Sequence, residues 1–485
     1  MSERNLTLLT DLYELTMMQG YFHAKDANET VIFDAFYRTN PDGNGFAIAA
    51  GLEQVVEYIE NLHFDKEDID YLRTTGLFGE DFLEYLADFK FTGDIYAIPE
   101  GTVVFPREPL VKVIAPIMQA QLVETAILNI INHQSLIATK TSRIVHAACG
   151  DGVMEFGLRR AQGPDAGIYG ARAAMIAGCI GTSNVLCGQM FDVPVKGTHA
   201  HSWIMSFPDE LTAFRTYAKL YPTACILLVD TYDTLNSGIP HAIQVFKEMR
   251  EAGIPLTFYG IRMDSGDLAY LSKEAKKMLD AEGFTDAVIS ASNDLDETLI
   301  TSLKNQGATI NSWGVGTNLI TSKDCPSFGG VYKLAAIMDK KTGKFIPKIK
   351  LSENEEKITN PGNKTTYRIY GKDSHKVIAD IICLVGETFN EDEPLLLFDP
   401  IATWKKTLLA PGTYTMRELP VQVFKDGECI YHSPKVMDIQ KYCKEELNTL
   451  WDETKRLVNP HEVHVDLSKP LWDMKHELLD KYHFE

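Results

Sequence analysis

A chain of 485 residues with 45% hydrophobic content is long enough to bury a large core and is expected to form two or three domains. Its formal net charge of −20 argues against binding to nucleic acid or to an anionic membrane, because such binding depends on exposed Lys and Arg. Eight cysteines without a C-x-x-C pair, no secretory signal and no apolar stretch of about 18 residues predict a cytoplasmic protein without a membrane partner.

The N-terminal region, residues 1-148, is predicted to contain helices and a small β-sheet. Thr10 and Asp11 are N-cap residues before an apolar run with helical spacing, and residues 31–38 alternate as a strand does. Short β-type runs between residues 93 and 117 are separated by prolines, which suit strand ends and edges. A long amphipathic helix over residues 118–148, interrupted once, is expected to lead into the next region.

Residues 149-350 are predicted to form an α/β barrel that carries the active site. Strand ends are expected within residues 154–157, 174–184 and 195–201, and four more apolar runs each stop at polar residues and glycines: residues 230–233, 262–267, 292–294 and 314–317. A strand that ends in Gly plus a charged residue, followed by a helix, is typical of the carboxyl rim of an α/β barrel. Seven such strand ends predict an irregular barrel.

The last region, residues 351-485, is predicted to be β-rich and to end in helices. Turn-like polar segments alternate here with short strands such as residues 377–382. Helices are expected over residues 437–458.

An acidic turn follows the run that ends at Arg262. Asp264 and Asp267 flank Ser265 and Gly266, so carboxylates are available for ribose hydroxyls or a divalent cation, and the glycine lets a ligand approach the backbone. The alternative is a solvated turn in which Ser265 or Asp267 caps the next helix. Both roles are compatible with one turn.

A glycine-rich segment, Gly314, Gly316 and Thr317, offers backbone N–H groups and a hydroxyl, which is the chemistry of a phosphate site. The alternative is a tight turn without a ligand.

Residues 198–202 contain two histidines, His199 and His201, which admit three interpretations. Both could bind a metal together with Asp230 and Asp264, as in barrel hydrolases. One could be a nucleophile or an acid–base group while the other is structural. Both could also be hydrogen-bonded histidines without a catalytic role.

An aromatic side chain lies beside basic residues at Phe156, Arg159 and Arg160. Ring stacking and a guanidinium fork would suit an aromatic heterocycle that bears a carboxylate. The alternative for Phe156 is ordinary core packing.

Five of these segments together resemble the nicotinate phosphoribosyltransferase family, and they occur in the family's order over roughly residues 5–335: residues 10–13, 155–160, 197–202, 260–267 and 314–318. The resemblance implies a type II phosphoribosyltransferase fold, an irregular α/β barrel with an additional α+β sandwich domain. It implies that nicotinate and phosphoribosyl pyrophosphate give nicotinate mononucleotide and pyrophosphate in NAD salvage, with ATP as co-substrate and Mg²⁺ as cofactor. It also implies a homodimer with shared active sites.

The resemblance assigns roles to individual residues. It implies that ATP phosphorylates His201, and Asp264 is expected to be the carboxylate on the sugar or metal side. The residues expected to bind nicotinate are Tyr13 from the partner chain, Phe156, Arg159, Ser183, Thr198 and Arg262. Those expected to bind the phosphoribosyl and phosphate groups are Arg160, Ser265, Gly266, Gly314, Gly316 and Thr317. Metal ligands are not assigned.

Ser183 bears on the choice between acid and amide. Related nicotinamide enzymes have an Asp after the Gly-Thr turn that corresponds to Gly181 and Thr182, and a carboxylate there would repel nicotinate. Ser183 therefore favours nicotinate. Two alternatives stay open: a metal-dependent barrel hydrolase that uses His199 and His201, and a non-catalytic relative that binds metabolites.

Overall fold

The computed structural model describes residues 4–24, 27–354 and 357–483. It divides the chain into two compact units. Unit 1 comprises Met1–Leu136, Ser327–Pro434 and Lys441–Glu485, and unit 2 comprises Ile137–Pro326 and Lys435–Gln440. The three consecutive regions expected from the sequence, residues 1-148, 149-350 and 351-485, stay a prediction.

The helices, numbered in chain order, are α1 Leu12–Ala24, α2 Leu52–Glu60, α3 Lys66–Thr74, α4 Glu80–Ala87, α5 Ile117–Leu122, α6 Glu124–Ala147, α7 Pro164–Ile176, α8 Val185–Phe191, α9 His201–Met205, α10 Glu210–Leu220, α11 Ile239–Glu251, α12 Leu268–Ala281, α13 Glu297–Asn305, α14 Thr317–Ile320, α15 Val436–Thr449 and α16 Lys469–His483. The single interruption predicted in the long helix lies between α5 and α6.

The strands are β1 Thr30–Tyr37, β2 Ala47–Ile48, β3 Asp94–Ala97, β4 Val103–Val104, β5 Val111–Pro116, β6 Gly152–Glu155, β7 Gly181–Thr182, β8 Cys225–Leu228, β9 Tyr259–Met263, β10 Val288–Ala291, β11 Ser312–Val315, β12 Gly330–Met338, β13 Phe345–Pro347, β14 Lys364–Gly371, β15 Val377–Leu384, β16 Leu395–Phe398, β17 Lys406–Leu409, β18 Tyr414–Glu418, β19 Val421–Lys425, β20 Glu428–Cys429 and β21 His464–Leu467.

Unit 1 is organised around a seven-stranded sheet with the order β13-β12-β1-β5-β3-β19-β20. The predicted strand near the N-terminus is β1, which lies between β12 and β5 with antiparallel pairing on both sides. The predicted strands β3 and β5 do form, but they join strands from distant parts of the chain rather than a small separate sheet. The alternation of side chains predicts a strand, whereas its partners depend on tertiary packing.

A second sheet of unit 1 has the order β18-β14-β15-β21, and β16 and β17 form a separate hairpin. The helix expected over residues 437–458 ends earlier, at Thr449, directly after Asn448, and both residue types are poor helix formers. The strand β21 and the helix α16 then follow, which the sequence did not predict. β21 pairs in parallel with β15, so this strand depends on a partner about 85 residues earlier in the chain.

Unit 2 contains a six-stranded sheet with the order β7-β6-β11-β10-β9-β8. All its strand pairs are parallel, and helices connect them. This sheet is the predicted irregular α/β barrel, in the form of a curled half-barrel. The strand predicted within residues 195–201 is wrong: Val195 forms only an isolated bridge with Thr182. Pro194 has no N–H to donate to a ladder, so pairing does not extend from this bridge.

Within residues 4–24, 27–354 and 357–483, none of the helices combines the length and the apolar character that a bilayer crossing requires.

Candidate functional site

A pocket of about 230 Å³ lies at the carboxyl ends of the parallel strands in unit 2. Its lining combines one aromatic ring, three guanidinium groups, two carboxylates and several small residues. The lining residues are Phe156, Arg159, Arg160, Arg262, Asp264, Ser292, Asn293, Asp294, Gly314, Gly316 and Thr317. Side chains that are far apart in sequence meet here because parallel strands present all their carboxyl ends at one edge.

Phe156 follows β6 and is fixed on the pocket wall by its backbone, whose N–H donates to the Val315 carbonyl at 2.8 Å. Its ring lies against Gly314, where an added Cβ would be 2.6 Å from one ring carbon and 2.7 Å from another. Gly314 is thus required by the close approach of this ring. Phe156 is half-buried and lines the pocket, whereas a side chain with only a core-packing role would be fully buried.

Gly314→Ala is expected to raise the KM for nicotinate, the substrate that the sequence resemblance implies, about tenfold, because the methyl group would displace the Phe156 ring from the pocket wall. Such overpacking costs about 1–3 kcal/mol. Steady-state kinetics with nicotinate as the varied substrate measures the effect. An unchanged KM in Gly314→Ala would show that the position of the ring does not matter to the substrate.

Behind Phe156, the buried carboxylate of Glu155 joins the ends of β6 and β7. It accepts hydrogen bonds from the Gly157 N–H and, at 2.6 Å, from the Thr182 hydroxyl. Burial raises the pKa of Glu155, while these two donors lower it. Ser183 comes directly after β7, and its N–H donates to the Glu155 carbonyl at 2.9 Å. Ser183 is held beside β6 but does not belong to the pocket lining.

Arg262 comes from β9 and is held by two acceptors on the segment that contains the histidines. One terminal nitrogen donates to the Thr198 hydroxyl and the other donates to the His199 carbonyl at 3.2 Å. Its Nε is buried and has no hydrogen-bond partner in the described part of the chain. Burial lowers the pKa of Arg262, and the nearby Asp264 and Asp230 oppose this shift. The structure therefore brings the predicted residues Thr198 and Arg262 together.

Asp230 organises the acidic side of the pocket. Its Oδ2 accepts from the Asp264 N–H at 2.8 Å and from the Ser265 hydroxyl at 2.6 Å, and Asp264 in turn accepts from the Ser292 hydroxyl. The Asp230 side chain is 1% exposed, and among the described residues its Oδ1 has no hydrogen-bond partner. A buried carboxylate oxygen without a donor is costly, so it marks a position for a proton donor or a cation.

His201 begins α9 beside this carboxylate. Its Nδ1 lies 3.0 Å from the Thr231 hydroxyl oxygen, and its Nε2 lies 3.9 Å from Asp230 Oδ1. The imidazole is 38% exposed, so a ligand can reach it. An accessible ring beside a buried acidic group suits a nucleophilic or acid–base histidine.

His199 has a different environment, although it is only two residues away. Its Nε2 accepts from the Leu228 N–H at 3.3 Å, and its ring packs edge-on against Tyr217 at 4.6 Å. Burial, and next the charge of Arg262, lower the pKa of His199 to about 4. In the described ranges no group of three or more His, Cys, Asp and Glu could hold a metal ion. The Nε2 of His199 is already bonded to the Leu228 N–H, which is unfavourable for the hydrolase alternative.

The buried, neutral state of His199 predicts a pH dependence of stability. Between pH 6.5 and about 4 the unfolded state binds the extra proton, so the free energy of unfolding should fall as the pH falls through this window, by about 3 kcal/mol at most. Chemical unfolding at pH 7 and pH 4.5 measures this loss. His199→Gln should reduce the difference between the two pH values, whereas His432→Gln, at an exposed position, should leave it unchanged. Equal pH dependence in the parent and His199→Gln would contradict the assignment.

The remaining predicted residues lie in two groups. Ser265 and Gly266 form the exposed turn after β9, where Gly266 has a φ of +84°. The capping alternative for this turn is confirmed at Asp267, which accepts from the Tyr270 N–H at 3.0 Å. Tyr13 is in α1 of unit 1 and is 46% exposed, so its role at the pocket stays a prediction.

Two site segments were not assigned a role from the sequence alone. The sequence indicates Asp230 only as a metal ligand in the hydrolase alternative, and residues 292–294 only as a polar strand end. Asn293 has a left-handed φ of 91°, and the Asn318 side chain fixes this loop by donating to the Asp294 carbonyl at 2.9 Å. Backbone strain of this kind is concentrated at functional sites. The sequence feature that could have indicated both segments is their position directly after apolar runs.

Comparisons with known proteins agree over most of the chain. The nicotinate phosphoribosyltransferase (NAPRTase) N-terminal domain matches residues 8–132, the NAPRTase family matches residues 152–365, and the NAPRTase C-terminal domain matches residues 363–475.

Individual relatives extend this similarity. A nicotinate phosphoribosyltransferase of Bacillus subtilis is 47% identical over 97% of this chain and 94% of its own. One from Mycobacterium tuberculosis is 43% identical over 81% of this chain and 80% of its own. The crystal structure of human nicotinic acid phosphoribosyltransferase is similar with a TM-score of 0.82 and 28% identity, covering 97% of this chain and 100% of the human one. The fold of this chain, with its half-barrel sheet, is therefore the fold of the human structure.

Proposed function

Because this chain belongs to the nicotinate phosphoribosyltransferase family, we propose that its rim pocket joins nicotinate to phosphoribosyl pyrophosphate, giving nicotinate mononucleotide and pyrophosphate for NAD biosynthesis. One observation supports this reaction most directly: an aromatic ring, three guanidinium groups and the carboxylate of Asp264 line a single pocket. The protein as a whole carries a net charge of −20, so this local positive charge suits a substrate with anionic groups at both ends.

The nicotinate ring would stack on Phe156, and Tyr13 of the partner subunit would cover its other face. Arg159 and Arg262 supply positive charge for the carboxylate, and the hydroxyl of Thr198 is held beside Arg262. Ser183 would tolerate the carboxylate, where an Asp would repel it.

The phosphoribosyl group would lie across the other strand ends. Asp264 suits the ribose hydroxyls, since a carboxylate accepts from both. The groups available for the phosphates are Arg160, Ser265, Gly266, Gly314, Gly316 and Thr317. The pyridine nitrogen has its own lone pair, so no general base is needed. The pocket would act by positioning this nitrogen against C1 of the ribose and by stabilising the charges that separate as pyrophosphate leaves.

Mg²⁺ fits this chemistry, and the residues that would hold it are Asp264 and Asp230. Mg²⁺ usually binds one or two protein carboxylates together with substrate phosphates, rather than a complete protein cage. The partnerless Oδ1 of Asp230 supports this assignment. The ion would neutralise the pyrophosphate charge.

ATP would act as co-substrate through His201. An imidazole nitrogen would attack the γ-phosphorus, the bond to ADP would break, and water would later hydrolyse the phosphohistidine. The contact of His201 with Thr231 fixes the ring, and Asp230 Oδ1 lies 3.9 Å from its Nε2. A phosphate on this ring would add negative charge to the pocket and so change the affinities for substrate and product.

A homodimer with shared active sites would account for two exposed apolar surfaces. The surface of α1 exposes Leu12, Tyr13 and Met17 by 38 to 55%. In unit 2, Val185 and Leu186 at the start of α8 are 71% and 44% exposed. Contiguous apolar surface of this kind commonly marks a protein interface.

The function is tested by incubating purified protein with phosphoribosyl pyrophosphate, Mg²⁺, ATP and either nicotinate or nicotinamide. We expect the mononucleotide with nicotinate and far less product with nicotinamide. Equal turnover of both would contradict the preference for the acid. Binding of substrates without any product would favour the non-catalytic alternative, and chelator-sensitive hydrolysis that does not need phosphoribosyl pyrophosphate would favour the hydrolase.

A further inference from the structure

A buried carboxylate lies behind the aromatic wall of the rim pocket, and the proposed reaction does not use it. Glu155, the last residue of β6, is 0% exposed. Among the described residues no neighbouring cation acts on the pKa of its carboxyl group; only the Gly157 N–H and the Thr182 hydroxyl offset the effect of burial. Burial of an acidic group without a counter-ion is costly, so groups of this kind are concentrated at functional sites.

Each carboxylate oxygen of Glu155 is bonded to a different segment. Oε1 accepts from the Gly157 N–H, and Oε2 accepts from the Thr182 hydroxyl at 2.6 Å. The Thr182 hydroxyl in turn accepts from the Asn184 N–H at 3.0 Å, so a chain of hydrogen bonds crosses the ends of β6 and β7. A carboxylate suits this chain because both of its oxygens accept, whereas a glutamine would present its NH₂ group to one of the two donors.

The two segments joined in this way carry groups proposed for nicotinate. Gly157 comes directly after Phe156, whose ring lines the pocket. Thr182 comes directly before Ser183, which is proposed to favour the acid over the amide. The carboxylate thus links the aromatic wall to the residue proposed to select the substrate.

The position of β7 makes this link important. β7 is two residues long, lies at the edge of the six-stranded sheet and pairs with β6 at two positions. On its other side Thr182 forms only the isolated bridge with Val195. A segment that is held by few backbone hydrogen bonds opens or shifts more easily than a central strand, so a buried side-chain bond contributes more to its position.

We propose that Glu155 is a positioning residue of the nicotinate subsite, and that its carboxylate fixes the Phe156 wall and the Thr182–Ser183 segment relative to each other. This inference rests on the function proposed above. Most groups proposed for the phosphates lie on other segments, the turn after β9 and the glycine-rich end of β11. Glu155 should therefore affect nicotinate far more than phosphoribosyl pyrophosphate.

Steady-state kinetics of Glu155→Gln, with nicotinate and phosphoribosyl pyrophosphate varied in turn, tests this role. The amide would oppose one of the two donors, so we expect the KM for nicotinate to rise about tenfold and the KM for phosphoribosyl pyrophosphate to change less than about threefold. A general loss of structure would raise both constants. Glu248→Gln, the same change at a side chain of unit 2 that is 40% exposed, should leave both constants unchanged.

Thr182 allows a second test that keeps the carboxylate. Thr182→Val removes the hydroxyl with little change of volume and should raise the KM for nicotinate by a similar factor, whereas Thr182→Ser keeps the hydroxyl and should lose less. Both Glu155→Gln and Thr182→Val break the same link, so the double variant should be little worse than the poorer single variant. Thermal unfolding identifies a variant that has lost its fold, and the two Thr182 variants decide the question if Glu155→Gln does not fold.

Two results would overturn this role while the proposed function stands. One is a parent-like KM for nicotinate in both Glu155→Gln and Thr182→Val, and the other is an equal rise of both KM values in these variants. If the parent chain makes no nicotinate mononucleotide, the proposed function fails and the role of Glu155 fails with it.

Discussion

His201→Ala is expected to abolish ADP release during turnover while some ATP-independent synthesis of nicotinate mononucleotide remains. The imidazole is the proposed nucleophile; it is 38% exposed and lies 3.0 Å from Thr231 and 3.9 Å from Asp230, whereas His199 is buried and bonded to the Leu228 N–H. Without the imidazole, the γ-phosphoryl group of ATP has no acceptor in the protein, so ADP is not released. The positioning of nicotinate and the sugar is preserved.

The measurement follows ADP and nicotinate mononucleotide together, in the parent and the variant, with and without ATP. His432→Ala changes an exposed histidine and should keep the parent ratio of ADP to mononucleotide. His199→Gln should reduce stability at neutral pH but should not by itself uncouple the two products. Unchanged ADP release in His201→Ala would remove His201 from its proposed role, even if synthesis also fell.

Arg262→Ala is expected to lower kcat/KM for nicotinate by about a hundredfold or more. The guanidinium is half-buried in the pocket lining and is fixed by the Thr198 hydroxyl and the His199 carbonyl. Removal of a desolvated charged group that binds a charged ligand costs about 2–5 kcal/mol, because the partner group is left buried and unpaired. The variant should also leave the Thr198 side chain less well positioned, since its hydroxyl would lose the hydrogen bond from the guanidinium.

Arg262→Lys refines this test. A lysine keeps the charge but cannot reproduce the planar fork that reaches Thr198 and the His199 carbonyl together, so we expect an intermediate loss. Arg215→Ala is the matched control, because Arg215 forms an exposed pair with Glu248 at 2.6 Å on the surface of unit 2. Thermal unfolding of each variant separates loss of function from loss of fold. Parent-like kinetics in Arg262→Ala would contradict the proposed carboxylate contact.

The pocket lining shows how much a single sequence can indicate. Phe156, Arg262, Gly314 and Thr317 were predicted because each follows or ends a short apolar run, and parallel strands must bring such ends to one edge. The sequence offers Asp230 only as a metal ligand of the hydrolase alternative, because spacing does not reveal which rim side chains face one another. Its hydrogen bonds to Asp264 and Ser265 depend on the register of β8 against β9.

The two histidines show more clearly what a single sequence cannot indicate. His199 and His201 are two residues apart, and their residue type allows a metal ligand, a nucleophile or a structural role for either one. Burial decides between them. His199 lies under Tyr217 with its pKa lowered, while His201 is 38% exposed beside Asp230.

By itself, the sequence determined many of the elements and much of the chemistry at their ends, since apolar periodicity, glycines and charged residues act locally along the chain. The tertiary structure alone decided which elements are neighbours. β1 pairs with β12 about 300 residues later, and β15 pairs with β21, because strand partners are chosen by shared burial of distant side chains rather than by local preference.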